Sequence, residues 1–209
     1  MNNASDSKLK ITFLLDKRNN WIEDRLRRSG LLNSSPKYDA TVSHDPSNVT
    51  EQDIVFILGY TRILVNAFLV RNKLNLVIHE SDLPKGKGFA PIQWQILEGK
   101  NQIPICLIEA AEKVDAGDIL GRGKIELKGD ELFEEIRDLQ AQATFELIRQ
   151  FLKTYPDYTR EKQNGSESMY PKRTPADGEL NVDKSIREQF NQLRIGNNEE
   201  WPSFFYLKG

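Results

Sequence analysis

Residues 74–120 constrain this chain more than any other stretch. Leu74 to Ile78 is an apolar run suited to a strand covered on both faces, and His79 ends it where the chain must leave for a loop. Ser81-Asp82-Leu83-Pro84-Lys85-Gly86-Lys87-Gly88 follows, and its proline and glycines rule out a regular element and expose backbone N–H groups. Pro91 suits the first turn of a short helix and Gly99 its C-terminal cap. A second buried strand, Ile103 to Ile108, ends in Val114-Asp115-Ala116-Gly117-Asp118. Read as parallel strands, the two deliver a histidine loop and an aspartate loop to one carboxyl edge, where open α/β sheets bind ligands. His79 becomes a candidate base and Asp115 its orienting carboxylate. A histidine closing a strand and an Asp-x-Gly-Asp turn are also ordinary structural features.

The remaining segments supply further layers of the same kind. Ile11 to Leu15 reads as a buried strand after a polar leader, Met1 to Ser7, and leads through Asp16-Lys17-Arg18-Asn19-Asn20 into an amphipathic helix with Trp21, Ile22 and Leu26. Such a strand, turn and helix start can hold an anion on uncompensated N–H groups, with Arg18 as a charged donor; a plain turn with a solvated Lys-Arg pair fits equally. Tyr38 to Val42 can form a strand before a turn containing His44, which reads as an exposed loop residue. Asp53 to Leu58 is the next buried strand, breaking at Gly59 before Tyr60-Thr61-Arg62-Ile63-Leu64 and a helix near Val65 to Arg71. Leu120 to Leu127 reads as a last strand. Asp130 is the expected cap of a long helix whose buried face is Leu132, Ile136, Leu139, Ala143, Leu147 and Phe151.

This pattern predicts an α/β fold: a Rossmann-like open, mostly parallel sheet with helices on both faces, followed by a short mixed C-terminal extension. Residues 1–155 form the expected catalytic domain and 156–209 the linker and extension, in which a helix is expected from Asp183 through Ile186, Phe190 and Leu193 to Gly196. With 209 residues and 38% apolar content the chain can bury one full core plus a modest appendage. Asp+Glu 31 against Lys+Arg 29 gives no global field for nucleic acid. The one cysteine, Cys106, excludes a disulfide framework and a metal cluster built on thiols, and fits a reduced cytoplasmic setting. No run approaches the roughly 18 apolar residues of a membrane span.

Three motifs in order, His79-x-Ser81-x-Leu83-Pro84, Gly88-x-Ala90-Pro91-Ile92-Gln93-Trp94 and Asp115-x-Gly117-Asp118-Ile119-Leu120, resemble the loop, helix and aspartate motifs of the formyltransferases that use N10-formyltetrahydrofolate. Gly59-Tyr60-x-Arg62-Ile63-Leu64 resembles the segment that lays its backbone along the pterin; a hydrophobic helix start explains Ile63 and Leu64 as well. Arg173-Thr174-Pro175-x-Asp177, with the later aromatic end Trp201-Pro202-Ser203-Phe204-Phe205, is similar to the connector of the tRNA and amino-sugar branches.

The resemblance implies that His79 accepts the proton of an attacking amine and that Asp115 holds its ring. Ser81, Lys85 and backbone N–H groups of the glycine loop become the oxyanion candidates. Tyr60, Thr61, Arg62, Ile63, Leu64, Ser81, Asp82, Leu83, Pro84, Asp115 and Asp118 would face N10-formyltetrahydrofolate as cosubstrate, and Arg18, Asn19, Asn20 and Trp21 the acceptor, with no metal. The wording around His79 is closest to the amino-sugar branch, so a nucleotide-linked amino sugar is the expected acceptor, with folate as the other partner, no membrane, no nucleic acid and room for a homodimer. Methionyl-tRNA formylation is the alternative, and a folate- or nucleotide-binding protein without turnover is the second. One departure stands out. The family's strand usually ends Asn-x-His, and Val77 occupies the asparagine position. Losing such a donor costs about 2.7–4 kcal/mol of transition-state stabilisation when nothing replaces it. Asn75 lies on the same face, one pleat deeper.

Overall fold

The structure, a computed structural model, describes residues 8–19 and 21–207; the leader and Asn20 lie outside them. Its strands are β1 (Leu9–Leu15), β2 (Tyr38–Ser43), β3 (Ile54–Leu58), β4 (Asn75–His79), β5 (Lys87–Gly88), β6 (Gln102–Glu109), β7 (Ile119–Glu126) and β8 (Met169–Tyr170). The helices are α1 (Glu23–Arg28), α2 (Asn66–Leu69), α3 (Pro91–Leu97), α4 (Phe133–Thr154) and α5 (Phe190–Arg194). Six strands form one sheet in the order β2-β1-β3-β4-β6-β7. The continuous apolar runs of β1 and β3 occupy its interior because both faces are covered, and every residue from Ile11 to Leu15 and from Ile54 to Leu58 is buried.

The sheet is parallel from β2 through β4 and then reverses: β6 runs antiparallel to β4, with His79 opposite Cys106 and Leu76 opposite Glu109. The expectation that 74–78 and 103–108 are parallel neighbours is therefore wrong. The seven-residue α3 spans only about 10 Å of helical rise, too little to carry the chain back across the sheet, so β6 enters at the edge where β4 leaves. The aspartate loop therefore starts at the far edge and folds back over the sheet. Ala110 N donates to Asn75 O and Glu109 N to Asp118 O, and Gly117 has no room for a Cβ, which would lie 1.6 Å from Glu109 O.

Helices cover the two faces unequally. Ile22, Leu26, Ile92, Ile96, Ile136, Phe145 and Ile148 join the main core on one side, while Phe68 of α2 packs with Leu14, Val55 and Ile57 on the other. On that second face a small cluster of Leu83, Cys106, Ile108 and Ile119 lies under the histidine loop, and Val77 packs against both groups. Asp130 is not the cap of α4; Leu132 takes that position, its N–H donating to Glu135 Oε2 at 2.8 Å. Glu131 instead accepts from Lys128 N and Gly129 N and meets the buried Arg194 at 2.8 Å. The helix expected from Asp183 is confined to Phe190–Arg194 after a 3-10 turn, and Ile186 is exposed. Upstream of it, Ser185 and Glu188 bond each other and Gln189 bonds Asn181, giving the backbone an alternative to the helix. Among the described residues no helix is long and apolar enough to cross a membrane.

Candidate functional site

Two loops meet beside β4, and each is held in a different way. His79 is the last residue of a paired strand, 5% exposed, with its ring on the face shared by Cys106. Its Nε2 lies 2.8 Å from Gly86 O and its Nδ1 3.5 Å from Asp115 Oδ1. A carbonyl can only accept, so Nε2 carries a hydrogen here, and Nδ1 is the nitrogen turned to the carboxylate. The other carboxylate oxygen, Oδ2, accepts from Gly88 N at 3.0 Å. Asp115 thus bridges the imidazole and the glycine loop, and it does so from a left-handed backbone with φ 53°.

The glycine loop is closed by the extension. Strand β5 pairs in parallel with β8, and Gly86 N donates to Ser168 Oγ, Lys87 N to Ser168 O and Phe89 N to Tyr170 O. Lys87 Nζ pairs with Glu167 at 2.7 Å. A Cβ on Gly88 would lie 2.4 Å from Tyr170 O, which fixes a glycine there. With Lys85 N given to Asp82 O, every backbone N–H from Lys85 to Phe89 is already donated, so the expected N–H donors for an oxyanion are not available in this arrangement. Of the side-chain candidates, Lys85 is exposed, whereas the Ser81 hydroxyl is buried and has no partner among the described residues. Asn75 is engaged, donating to Leu69 O and accepting from Asn72.

The other expected residues form a second group along the ends of β1 and β3. Asp16, which motif reading passed over, joins them: its carboxylate accepts from the Thr61 hydroxyl and N–H and from Arg18 N. The Thr61 hydroxyl, aided by Arg18 N–H, holds the Asp16 carboxyl below its usual range. Asn19 Nδ2 donates to Gly59 O at 2.8 Å; Arg18 is exposed; Asn20 lies outside the described residues. Trp21 stacks under the Arg137 guanidinium at 4.5 Å, and burial pushes that arginine down to about 10, so it stays charged at neutral pH. Tyr60, Arg62, Ile63 and Leu64 line a cleft of about 310 Å³ with Asp45 and Ser47, and Ile63 and Val65 expose apolar surface beside it. That volume is at the small end for a ligand site. A second cleft, about 580 Å³, lies between α1 and α4 and is lined by Arg25, Arg28 and Arg149. Neither cleft includes His79 or Asp115. Leu83 and Pro84 are buried, Asp82 pairs with Arg122 at 3.0 Å, and Asp118 contributes its carbonyl to the fold of its own loop.

Sequence reasoning also missed Gln163, whose Nε2 donates to Asp115 O and Gly117 O; a glutamine in a polar linker carries no motif that would single it out.

Comparison with known proteins converges on one family. A methionyl-tRNA formyltransferase of Rickettsia massiliae is 30% identical over 161 residues, covering 76% of this chain and 53% of the relative. The chain thus spans about half the length of the curated relatives it matches. Among solved structures, methionyl-tRNA formyltransferase from Clostridium thermocellum superposes with a TM-score of 0.80 at 21% identity, covering 95% of this chain and 88% of that one. A 4-N formyltransferase from Francisella tularensis gives 0.71 at 18% identity, covering 94% and 92%. The model of the Formyl transferase family matches residues 13–151, from β1 almost to the end of α4, and the chain belongs to that family.

Proposed function

We propose that this protein transfers a formyl group from N10-formyltetrahydrofolate to a primary amine, and that a nucleotide-linked amino sugar carries that amine. The observation that carries the reading is the pairing of buried His79 with half-buried Asp115, 3.5 Å apart beneath a loop whose N–H groups from Lys85 to Phe89 are all donated. The cosubstrate supplies the formyl carbon. His79 takes the proton of the attacking amine on Nε2 in its other neutral tautomer, reached when the Gly86 carbonyl moves off and the Nε2 hydrogen is given up, so that the single ring hydrogen sits on Nδ1 facing Asp115. The new C–N bond leaves charge on the formyl oxygen, which the Ser81 hydroxyl receives in the place the family gives to asparagine; Lys85 would have to fold inward to compete. His79 then returns the proton to the departing N10. Residues 60–64 hold the pterin against the cleft beside Ile63, and Arg18, Asn19 and Trp21 face the acceptor.

The near-neutral balance of charges supports a small acceptor over an RNA, and the single buried cysteine fits a cytoplasmic setting. A second reading, formylation of initiator methionyl-tRNA, is favoured by the names of the curated relatives. Incubating the protein with N10-formyltetrahydrofolate and either a panel of nucleotide-linked amino sugars or charged initiator tRNA, with mass spectrometry for the added formyl group, separates the two. Formylated sugar supports the first reading and formylated aminoacyl-tRNA the second. Folate binding with no formate released from labelled cofactor in the presence of amine acceptors would favour a binding protein.

A further inference from the structure

The two halves of the candidate site are gathered by one short stretch of the extension. Ser168 holds Gly86, whose carbonyl meets His79 Nε2, and Gln163 holds the loop that carries Asp115. Asp115 needs such support. Its left-handed backbone costs an L-residue free energy that surrounding contacts must offset, and neither of its neighbours is a glycine able to absorb the turn. Gln163 provides it from 48 positions away: Nε2 donates to Asp115 O at 2.8 Å and to Gly117 O at 2.9 Å. Both partners are carbonyl oxygens, so the amide can face them only with its nitrogen. Its Oε1 is buried and has no partner among the described residues. A side chain that leaves its own acceptor unpaired to tie two carbonyls together is committed to the shape of that loop.

We infer that Gln163 is a positioning residue for the reaction: its amide fixes the 115–117 turn so that one Asp115 oxygen faces His79 Nδ1 and the other takes Gly88 N–H. The inference rests on the proposed pairing of His79 with Asp115. Removing the fork frees the backbone at Asp115 to relax out of the left-handed region, which swings the carboxylate off the imidazole without touching any reacting group. A displacement of about 1 Å at such a group can cost on the order of 100-fold in rate.

The chain has only two histidines, which makes the effect readable without an acceptor. His44, paired with Glu23 at 2.6 Å, is the internal control. In protein labelled with 15N-histidine, the ring nitrogen shifts of both residues are compared in wild type, Asp115→Asn, Gln163→Met and Ile125→Val, the last a core change remote from the loops. The inference expects the His79 signals of Gln163→Met to move toward those of Asp115→Asn while His44 keeps its wild-type shifts, and Ile125→Val to move neither. If Asp115→Asn shifts His79 and Gln163→Met does not, the pairing stands and the positioning role is overturned. If Asp115→Asn leaves His79 unmoved, the pairing itself fails and the role of Gln163 falls with it. Movement of both histidines in Gln163→Met, or of His79 in Ile125→Val, marks a general loosening and also overturns the inference. Should Gln163→Met fail to fold, Gln163→Leu, which likewise removes the amide without adding a charge, is read in the same way.

Discussion

His79 and Asp115 sit within 3.5 Å of each other, yet they are placed by opposite means. His79 closes a strand whose ladder to β6 and buried neighbours fix it before any loop is considered. Asp115 sits in a loop that starts at the wrong edge of the sheet, folds back, adopts a strained backbone and is secured by Gln163 and Gly88. One arm of the site belongs to the sheet and the other to the tertiary contacts of a distant connector. The difference teaches where function should be fragile: changes at His79 should act first on chemistry, with a local cost at the Gly86 carbonyl it bonds, while changes around Asp115 should act on chemistry and on the geometry of the whole loop together.

The largest effect is expected for His79→Ala. If His79 is the general base as proposed, its loss should lower turnover roughly 10²–10⁴-fold, with folate affinity by equilibrium titration close to wild type; near-normal turnover would remove His79 from the mechanism. Asp115→Asn should also slow transfer substantially, because a neutral amide can hold the ring but neither fixes the base tautomer nor stabilises the imidazolium. An unchanged pH–rate profile in that variant would mean that the carboxylate is not coupled to the ring.

Gly117→Ala sharpens the comparison from the structural side. The added Cβ would lie 1.6 Å from Glu109 O, so the loop must shift, at a cost of about 1–3 kcal/mol in thermal melts. It should slow transfer as well, whereas Gly99→Ala, which strains a helix cap beside open space, should lower stability with no change in rate.

How far these features were legible in the sequence follows from the same division. Strands covered on both faces announce themselves as apolar runs, which is why β1, β3, β4 and β6 fall where the runs predict. Their direction is not in the pattern, because a run buried on both faces reads the same parallel or antiparallel, and so β6 was assigned the wrong direction. The His79, Gly88 and Asp115 motifs mark the loops. The bonds that close those loops come from Gln163, Ser168 and Tyr170, whose partners lie 46 to 82 positions away and leave no local periodicity. Likewise Asp130 looks like a cap, but the N3 carboxylate of Glu135 serves the helix start, and Glu131 turns away to neutralise the buried Arg194.

Val77→Asn should give little gain in rate if Ser81 already serves the oxyanion. It should cost about 1–3 kcal/mol of stability, because an amide would replace a methyl packed into two apolar clusters. A large rate gain would show instead that the strand lost a donor without replacement. The smallest effect concerns Asp16, which ties the turn after β1 to Thr61. Its carboxyl is held below the unfolded value by the Thr61 hydroxyl, so the stability it contributes is present above about pH 4 and is lost as the pH falls through the folded value. The stability advantage of wild type over Asp16→Asn, on the order of 1 kcal/mol at pH 7, should therefore shrink in melts at pH 3. An advantage that grows on acidification would contradict the assignment.

The most direct test of the central claim, that a strand-held histidine and a loop-held aspartate act as one device, is a double-mutant cycle on single-turnover formyl transfer. Residues that work as a unit give strongly non-additive losses. The account predicts that His79→Ala combined with Asp115→Asn is no slower than His79→Ala alone. Losses that multiply would mean that the two residues act independently, and would contradict it.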